Sequence, residues 1–325
     1  MTRVAHPTDD QQRYLLHSPV AMPGASGFLW NPKMMLHMNC RGYAVSQFMQ
    51  PEPAKYAHAP NLEAKTFMQP EQPYYGHHPG RFFYIKDRDS GNLFSAPYEP
   101  VRKQEAEFTF CVGKSDLQWR VEYDGIRIDL RLDLTRDDTV ELWCAQMTNI
   151  SGRKRNMSLY PYFTVGYMSW MNQSAVFDEQ LGAIVCKCVS PYQKYQDYDK
   201  IKTYKDLTFL LADQKPDSFE TIQQDFEGEG GLHNPSGISS ERLAGGESLY
   251  ESPVCALQYN WELEDGEAKS LKLAFGPSKT HEEVASIKER YLTKGGFEKA
   301  QRDYAEYIRQ GESDLIVQTP DSKLN

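Results

Sequence analysis

The sequence predicts a mainly β protein, a large antiparallel β-sandwich followed by helices. Three observations predict this fold class. Apolar and polar residues alternate with period two from about Arg81, Asp124-Gly125 separates two such runs, and the apolar period becomes helical near residue 277. The chain has 325 residues, 40% of them hydrophobic, and is therefore long enough to bury a sizeable core.

The beginning of the chain differs from the rest. The first hundred residues contain 12 of the 19 prolines, and their apolar residues cluster without a sustained period. Such a segment is typical of long loops with short strands laid over a surface. We therefore expect residues 1–80 to be loop-rich.

The clearest strand pair surrounds Asp124-Gly125, a preferred two-residue hairpin turn because both central residues adopt positive φ. Residues 117–123 and 126–134 alternate apolar with polar, and Glu122, Asp129 and Asp133 are expected on the solvated face. One apolar and one polar face on each strand is expected when two sheets pack face to face. Further strands are expected near residues 139–149, 155–168, 181–188, 207–213, 254–264 and 269–276.

Two helices are expected after the strands. Thr280 with Glu283 forms a capping box, and the apolar residues that follow share one helical face. A second helix follows Gly295-Gly296 and ends at Gly311. The predicted buried stripes are Val284, Ile287 and Tyr291 in the first helix, and Phe297, Ala300, Tyr304 and Ile308 in the second.

The composition of the chain indicates which classes of binding partner and which cellular compartment to expect. The formal net charge is −9, and this balance disfavours a nucleic-acid phosphate track or an anionic membrane surface as a partner. No stretch approaches the roughly 18 consecutive apolar residues of a membrane span, and the N-terminus lacks the apolar core of a signal peptide. A cytoplasmic protein is therefore expected.

The six cysteines are dispersed and contain no CxxC pair. Buried, reduced thiols are the expected state, and a metal site or a disulfide framework is the alternative. The cysteines are Cys40, Cys111, Cys144, Cys186, Cys188 and Cys255.

Signatures of the common catalytic classes are absent. The chain has no nucleotide-binding, metalloprotease or hydrolase-elbow motif, so no residue is assigned as catalytic, cofactor-binding or metal-binding. The glycines at 228–231 favour a flexible surface loop over a phosphate cradle. His77-His78 favours a turn packed on the sandwich over a metal site, which needs further ligands at defined spacing.

One segment has a composition that suits carbohydrate. Trp170, Asn172 and Gln173 lie between predicted strands, where an indole and polar side chains project from a loop. An apolar ring face and sugar hydroxyls fit such a set of side chains. The alternative is that Trp170 packs back onto the edge of the sandwich.

Several motifs, in order, resemble the N-terminal part of glycoside hydrolase family 94, the inverting glycoside phosphorylases such as the cellobiose, cellodextrin and cellobionic acid phosphorylases. Each motif is short, but their order is specific and spans nearly the whole chain. The motifs are Arg13-Tyr-Leu-Leu, Arg41-Gly-Tyr43, Pro79-Gly-Arg-Phe-Phe-Tyr-Ile-Lys-Asp87, Asp89-Ser-Gly-Asn-Leu-Phe-Ser95, Pro100-Val-Arg102, Tyr123-Asp-Gly-Ile-Arg127, Met147-Thr-Asn-Ile-Ser151, Ser158-Leu-Tyr-Pro-Tyr162, Asn234-Pro-Ser-Gly237, Leu263-Glu-Asp-Gly-Glu267 and Thr319-Pro-Asp321.

The resemblance implies a β-sandwich of the supersandwich kind over residues 1–276 and a helical linker over 277–312. Residues 313–325 would be the truncated start of a missing (α/α)6 catalytic barrel. In this family one Asp of the barrel protonates the glycosidic oxygen while inorganic phosphate, a co-substrate, attacks the anomeric carbon. Because that Asp lies in the barrel, this fragment should be inactive alone. No cofactor is implied.

The family's members are commonly homodimers in which a loop of the sandwich reaches over the partner's active site. The corresponding loop here would carry Trp170, Asn172 and Gln173 toward a β-linked glucosyl disaccharide. Residues 175–179 contain no Arg, unlike the longer loop of cellobiose phosphorylases, and this difference disfavours cellobiose as the substrate. The loop-rich first hundred residues resemble the cellobionic acid type, so cellobionic acid is the expected substrate. The alternative function is a stand-alone carbohydrate-binding sandwich. If a barrel is missing, an exposed apolar patch is expected where it docks.

Overall fold

In the computed structural model, the described residues are 4–10, 12–48, 54–57, 80–165, 173–187, 205, 207–311 and 319–320. These residues are mainly β, and every strand pairing among them is antiparallel. The strands are β1 (Ala5–Pro7), β2 (Tyr14–Leu16), β3 (Ser26–Trp30), β4 (Met34–Asn39), β5 (Ala44–Phe48), β6 (Ala54–Ala57), β7 (Arg81–Asp87), β8 (Leu93–Ala96), β9 (Glu107–Val112), β10 (Asp116–Tyr123), β11 (Ile126–Leu134), β12 (Glu141–Asn149), β13 (Arg155–Thr164), β14 (Ser174–Asp178), β15 (Ala183–Lys187), β16 (Leu207–Ala212), β17 (Ser218–Ile222), β18 (Ser248–Leu249), β19 (Pro253–Leu263) and β20 (Ala268–Ser278). The α-helices are α1 (Gln223–Glu227), α2 (Ser236–Ser239), α3 (His281–Leu292) and α4 (Gly296–Gly311).

The described strands form three sheets. An eleven-stranded sheet has the order β1-β2-β9-β10-β11-β12-β20-β16-β15-β14-β18. A five-stranded sheet has the order β17-β19-β13-β7-β8, and a four-stranded sheet has the order β3-β4-β5-β6. The predicted hairpin is confirmed: β10 and β11 pair from Tyr123↔Ile126 to Asp116↔Asp133, and Asp124 and Gly125 have positive φ.

Aromatic side chains fill the core between the eleven-stranded and five-stranded sheets. Trp143 of β12 lies 5.9 Å from Trp119 and 5.5 Å from Phe163, between ring centroids. Phe83 of β7 completes the cluster at 5.7 Å from Trp143. Because these rings come from facing sheets and are buried, the predicted sandwich is confirmed.

A buried ion pair connects all three sheets. Arg81 of β7 donates two hydrogen bonds to Glu141 of β12, at 3.0 Å from Nε and 2.9 Å from Nη2, and both side chains have no exposed area. Ser46 of β5 donates to the same carboxylate at 2.6 Å, and the indole nitrogen of Trp143 donates at 3.1 Å. The carboxylate is therefore saturated with donors, which buried charges require.

The helices α3 and α4 pack on the outer face of the eleven-stranded sheet. Thr280 caps α3 by accepting a hydrogen bond from the backbone N–H of Glu283 at 3.2 Å, as the capping box predicts. The predicted stripes of both helices are buried, and α4 ends at Gly311 as predicted. The helices therefore cover part of a sheet face that would otherwise be open to solvent.

The position of α4 shows that one prediction about the polar face of the hairpin was wrong. Glu122 and Asp129 are partly exposed, as expected, but Asp133 is fully buried. Gln301 of α4 donates to its carboxylate at 2.6 Å, and Arg131 donates twice at 2.8 Å. Burial raises the pKa of Asp133 above its ordinary value, against the opposing effect of Arg131. The strand period shows which face holds Asp133, but not that a helix 168 residues later covers that face.

The outer face of the five-stranded sheet is covered by residues 223–239. This segment includes α1, α2 and a short 3-10 helix at Gly228–Gly230, which were not predicted from its glycines. Phe226, Leu232 and Ile238 pack on aromatic residues of the sheet. Within the described part of residues 1–80, β1 and β2 belong to the eleven-stranded sheet and β3–β6 form the four-stranded sheet. Apolar side chains of β2, β3, β4 and β5 enter the main core.

Candidate functional site: the β14–β18 edge

Of the predicted sugar-binding residues, Gln173 lies within the part of the chain that the structure describes, at the end of the eleven-stranded sheet formed by β14 and β18. Trp170 and Asn172 lie outside the described residues, as do His77 and His78. Gln173 immediately precedes β14, and its carbonyl oxygen accepts a hydrogen bond from the backbone N–H of Tyr250 at 2.8 Å. The structure therefore locates the C-terminal end of the predicted covering loop, next to the outermost strand of the sheet.

The side chain of Gln173 is 2% exposed. Neither its amide oxygen nor its amide nitrogen has a hydrogen-bond partner among the described residues. Leaving such a buried polar group unpaired costs about 1–3 kcal/mol. A buried amide without a partner is suited to bind a ligand that supplies both a donor and an acceptor, as a sugar hydroxyl or a carboxylic acid group does.

The backbone around Gln173 is held firmly. The hydroxyl of Thr221, a buried residue of β17, lies 3.0 Å from the carbonyl oxygen of Ala175 and 2.8 Å from that of Gly246. The same hydroxyl accepts a hydrogen bond from the backbone N–H of Ser248 at 2.9 Å. Because Thr221 connects β14 to the segment before β18, the end of the loop starts from a fixed position.

Residues 175–179 form β14 and the turn after it. Phe177 stacks on Phe219 with ring centroids 4.5 Å apart, and Asp178 accepts hydrogen bonds from the backbone of the turn. Glu179 pairs with Lys215, and both are exposed. This stretch thus contributes packing, a turn and one exposed acid, and its sequence has no cation for a phosphate or a carboxylate.

Sequence analysis missed two residues at this edge. Leu249 is 61% exposed and Tyr250 is 77% exposed. Tyr250 also has a φ of 59°, a left-handed conformation that costs a non-glycine residue about 1–3 kcal/mol. Tyr250 directly follows β18, and no signal in Ser-Leu-Tyr-Glu-Ser indicates this conformation.

A second apolar surface lies at the C-terminal end of α4. Phe28 and Trp30 of β3 are 55% and 47% exposed, and they line a cavity of about 930 Å³ together with Tyr307 and Ile308 of α4. The hydroxyl of Tyr304 fixes the helix to the carbonyl oxygen of Trp30 at 3.0 Å. We call this surface the α4 groove. It is the kind of exposed apolar patch that the sequence predicted.

One buried acid, Glu227, has no cationic partner within the described part of the chain. Glu227 of α1 accepts hydrogen bonds from the hydroxyl of Tyr162 at 2.7 Å and from the amide of Gln223 at 2.6 Å. Burial raises the pKa of Glu227 above its ordinary value, and the two donors only partly oppose this effect. Glu227 belongs to α1, which packs on the outer face of the five-stranded sheet.

The described part of the chain offers neither a metal site nor a membrane-spanning helix. No group of three or more His, Cys, Asp and Glu residues there could hold a metal ion. No helix there is long and apolar enough to cross a membrane. The five described cysteines are free thiols, and Cys188 lies outside the described residues.

The comparisons with known proteins decide the family. Residues 72–294 match the family model described as glycosyl hydrolase 94, supersandwich domain. The chain belongs to this family. The GH94 supersandwich domain therefore includes both the β14–β18 edge and helix α3, and the resemblance seen in the sequence is confirmed.

Known relatives of this GH94 domain include three phosphorylases. The chain is 52% identical over all 325 residues to cellobionic acid phosphorylase of Neurospora crassa, and it spans 41% of that protein's length. It is 25% identical to 3-O-beta-D-glucopyranosyl-beta-D-glucuronide phosphorylase and 24% identical to solabiose phosphorylase, both of Paenibacillus borealis. In these two cases the alignment covers 75% of this chain and 32% of the relative.

Proposed function

We propose that this chain is the N-terminal domain of an inverting β-glucoside phosphorylase, which uses inorganic phosphate to release glucose 1-phosphate. The observation that carries the proposal is the 52% identity with cellobionic acid phosphorylase over the whole chain. The catalytic Asp and the phosphate-binding residues would lie in a separate barrel. The five free thiols of the described residues fit the reducing cytoplasm, the compartment we propose.

The proposed substrate is cellobionic acid, with cellobiose as the competing candidate. Support comes from the identity with the Neurospora crassa protein, and the absence of Arg from residues 175–179 counts against cellobiose. Both glucosides would yield glucose 1-phosphate, so the sugar acid or sugar released with it identifies the substrate.

The proposed role of the β14–β18 edge is to hold a loop over an active site. Trp170, Asn172 and Gln173 would contact the disaccharide, with the indole on an apolar sugar face and the amides on hydroxyl or carboxyl groups. The unpaired buried amide of Gln173 and the rigid backbone around it support this role. In a homodimer, the loop would cover the active site of the partner subunit.

The proposed role of the α4 groove is to dock the catalytic barrel. The groove lies at the end of the last described helix and exposes Phe28 and Trp30, which a neighbouring domain would bury. Because each side chain is about half exposed, covering it would bury on the order of half of the roughly 150–250 Å² that an aromatic side chain can bury.

The test is a phosphorolysis assay of the full-length protein with cellobionic acid and with cellobiose. The release of glucose 1-phosphate is measured for each substrate. Faster turnover of cellobionic acid at equal concentration would support the proposal. Absence of glucose 1-phosphate with both substrates would contradict it. Trp170→Ala in the same protein should raise the KM for the disaccharide without lowering the melting temperature, and unchanged kinetics would remove Trp170 from the site.

A further inference from the structure

The outer face of the eleven-stranded sheet contains a groove that the proposed function does not use. Its floor consists of two rows of side chains that cross β9, β10, β11, β12 and β20, as the strand registers show. The first row is Cys111, Gln118, Arg131, Cys144 and Lys272. The second row is Thr109, Arg120, Asp129 and Gln146, and it ends at β12.

The groove is a concavity of about 460 Å³ with a wall on each side. One wall is the first turns of α4, with Phe297, Glu298 and Gln301, and the other includes Leu15 of β2. Cys111 and Cys144 have short side chains, so the groove is deeper at these two positions than at Gln118 and Arg131 between them. The volume lies within the range of about 300–1,000 Å³ that is typical of small-molecule sites.

The polar groups of the floor are held in fixed orientations. Arg131 makes two hydrogen bonds of 2.8 Å to Asp133, whose carboxylate is buried and also bound by Gln301. Arg120 donates from Nε to Asp129 at 2.7 Å. A bound ligand would therefore meet donors that lose little conformational freedom.

Some polar groups of the groove remain available for a ligand. Gln146 is exposed, and its side-chain amide has no hydrogen-bond partner among the described residues. Arg120 uses only its Nε in the hydrogen bond to Asp129, so its two terminal nitrogens still have donors to offer. The exposed floor thus combines amide and guanidinium donors with amide and carboxylate acceptors.

The charges in and beside the groove balance. Four ion pairs join the cations to carboxylates: Arg13–Asp116, Arg120–Asp129, Arg131–Asp133 and Lys272–Glu298. A balanced set of this kind favours neither an anion nor a cation. It matches a neutral ligand with many hydroxyl groups, each of which both donates and accepts hydrogen bonds.

We propose that this groove binds a neutral carbohydrate of the size of one or two pyranose rings. The site is separate in sequence from the β14–β18 edge, and it does not depend on phosphorolysis. Occupancy of the groove would tether the protein to glucosyl chains or sense free sugar, whichever substrate the full-length protein cleaves.

The test uses a thiol on the floor as a local reporter. Full-length protein is alkylated with iodoacetamide at increasing concentrations of glucose, cellobiose or gluconate, and modification of Cys111 is followed by peptide mass spectrometry. We expect saturable protection by the two neutral sugars and weaker protection by gluconate. Saturation-transfer NMR on the same sugars measures binding without any reaction at the thiol.

Two variants remove floor contacts: Arg120→Ala and Gln146→Ala. Each should raise the half-protecting sugar concentration roughly 3- to 10-fold, the effect of one lost hydrogen bond. The control is Glu122→Ala, on the same strand and face as Arg120 but outside the groove, and it should leave that concentration unchanged. Because the side chain of Gln146 makes no hydrogen bond to the described residues and the backbone pairing of β12 is retained, its variant should fold even if the Arg120 variant does not.

Three results would overturn the proposal. The first is absence of both protection and saturation transfer with glucose and cellobiose, which would make the groove an ordinary solvated face. The second is an equal effect of all three variants. The third is stronger protection by gluconate than by glucose. None of these results bears on whether the protein releases glucose 1-phosphate, so this proposal and the proposed function can fail separately.

Discussion

Replacing Gln173 by Leu separates the stability of the β14–β18 edge from its proposed role in binding. The side chain is 2% exposed, and both polar atoms of its amide lack partners among the described residues. Leucine has a similar volume and no polar atoms. Removing an unpaired buried amide should raise the free energy of unfolding by about 1–3 kcal/mol, the cost of burying such a group.

The same substitution should weaken substrate binding in the full-length protein. Loss of one or two hydrogen bonds to the disaccharide should raise the KM roughly 3- to 30-fold. The kcat should change little if Gln173 contacts the substrate equally in the ground state and the transition state. Stability is measured by urea unfolding with linear extrapolation, and KM by release of glucose 1-phosphate. The expected result is a more stable protein that binds its substrate less well.

The control is Gln258→Leu. Gln258 is 1% exposed, but its amide is saturated by Ser218, Leu243, Glu241 and Asn260. Its replacement should lower the free energy of unfolding by about 1–3 kcal/mol, because the partners lose their hydrogen bonds. Equal destabilisation by both substitutions would refute the reasoning about stability. A stabilised Gln173→Leu with unchanged KM would remove Gln173 from the binding site.

Three other predictions follow from the buried groups and the α4 groove. Glu141→Gln should destabilise the protein by about 3–5 kcal/mol in urea unfolding, because Arg81 then remains buried without a counter-charge. Burial raises the pKa of Glu227, so its contribution to stability is lost as the pH rises through the folded-state pKa. Glu227→Gln should therefore be more stable than the parent at pH 8, by a margin that shrinks toward pH 5. Replacing Phe28 and Trp30 by Ser should reduce the binding of a hydrophobic dye to this chain without lowering its melting temperature, because both are surface residues.

Each of these predictions has an outcome that contradicts it. Arg81→Met combined with Glu141→Leu should recover much of the lost stability, and a double variant no more stable than Glu141→Gln would argue against an uncompensated charge. A pH-independent difference between Glu227→Gln and the parent would show that the carboxyl is not shifted. Undiminished dye binding after the Phe28 and Trp30 substitutions would place the exposed apolar surface elsewhere.

Local patterns predicted the elements that local interactions stabilise. The turn at Asp124-Gly125 depends on two adjacent residues, and the cap of α3 depends on Thr280 and Glu283, so the sequence was sufficient for both. The alternation along β10 and β11 showed which side chains enter the core, because a strand in a sandwich has one inner face. The short strands β17 and β18 and the helices α1 and α2 lack such patterns and were missed.

The candidate site was only partly predictable. Composition pointed to residues 170–173, but the unpaired state of the Gln173 amide follows from its surroundings in the fold. Tyr250 is exposed, and it lies at this edge because Leu249 pairs with Ser174, a residue 75 positions earlier in the sequence. No short-range signal encodes such a pairing, since strand partners are selected by packing over the whole sheet.

By itself, the sequence determined the β-sandwich class, the terminal helices and the GH94 family, because these follow from periodicity, caps and ordered motifs. Only the tertiary structure decided which polar groups are buried and how they are satisfied. Asp133 is buried by Gln301 of α4, and Arg81 meets Glu141 across two sheets. Such contacts join residues 60 to 168 positions apart, and their energies depend on exclusion of water, which exists only after the layers have packed.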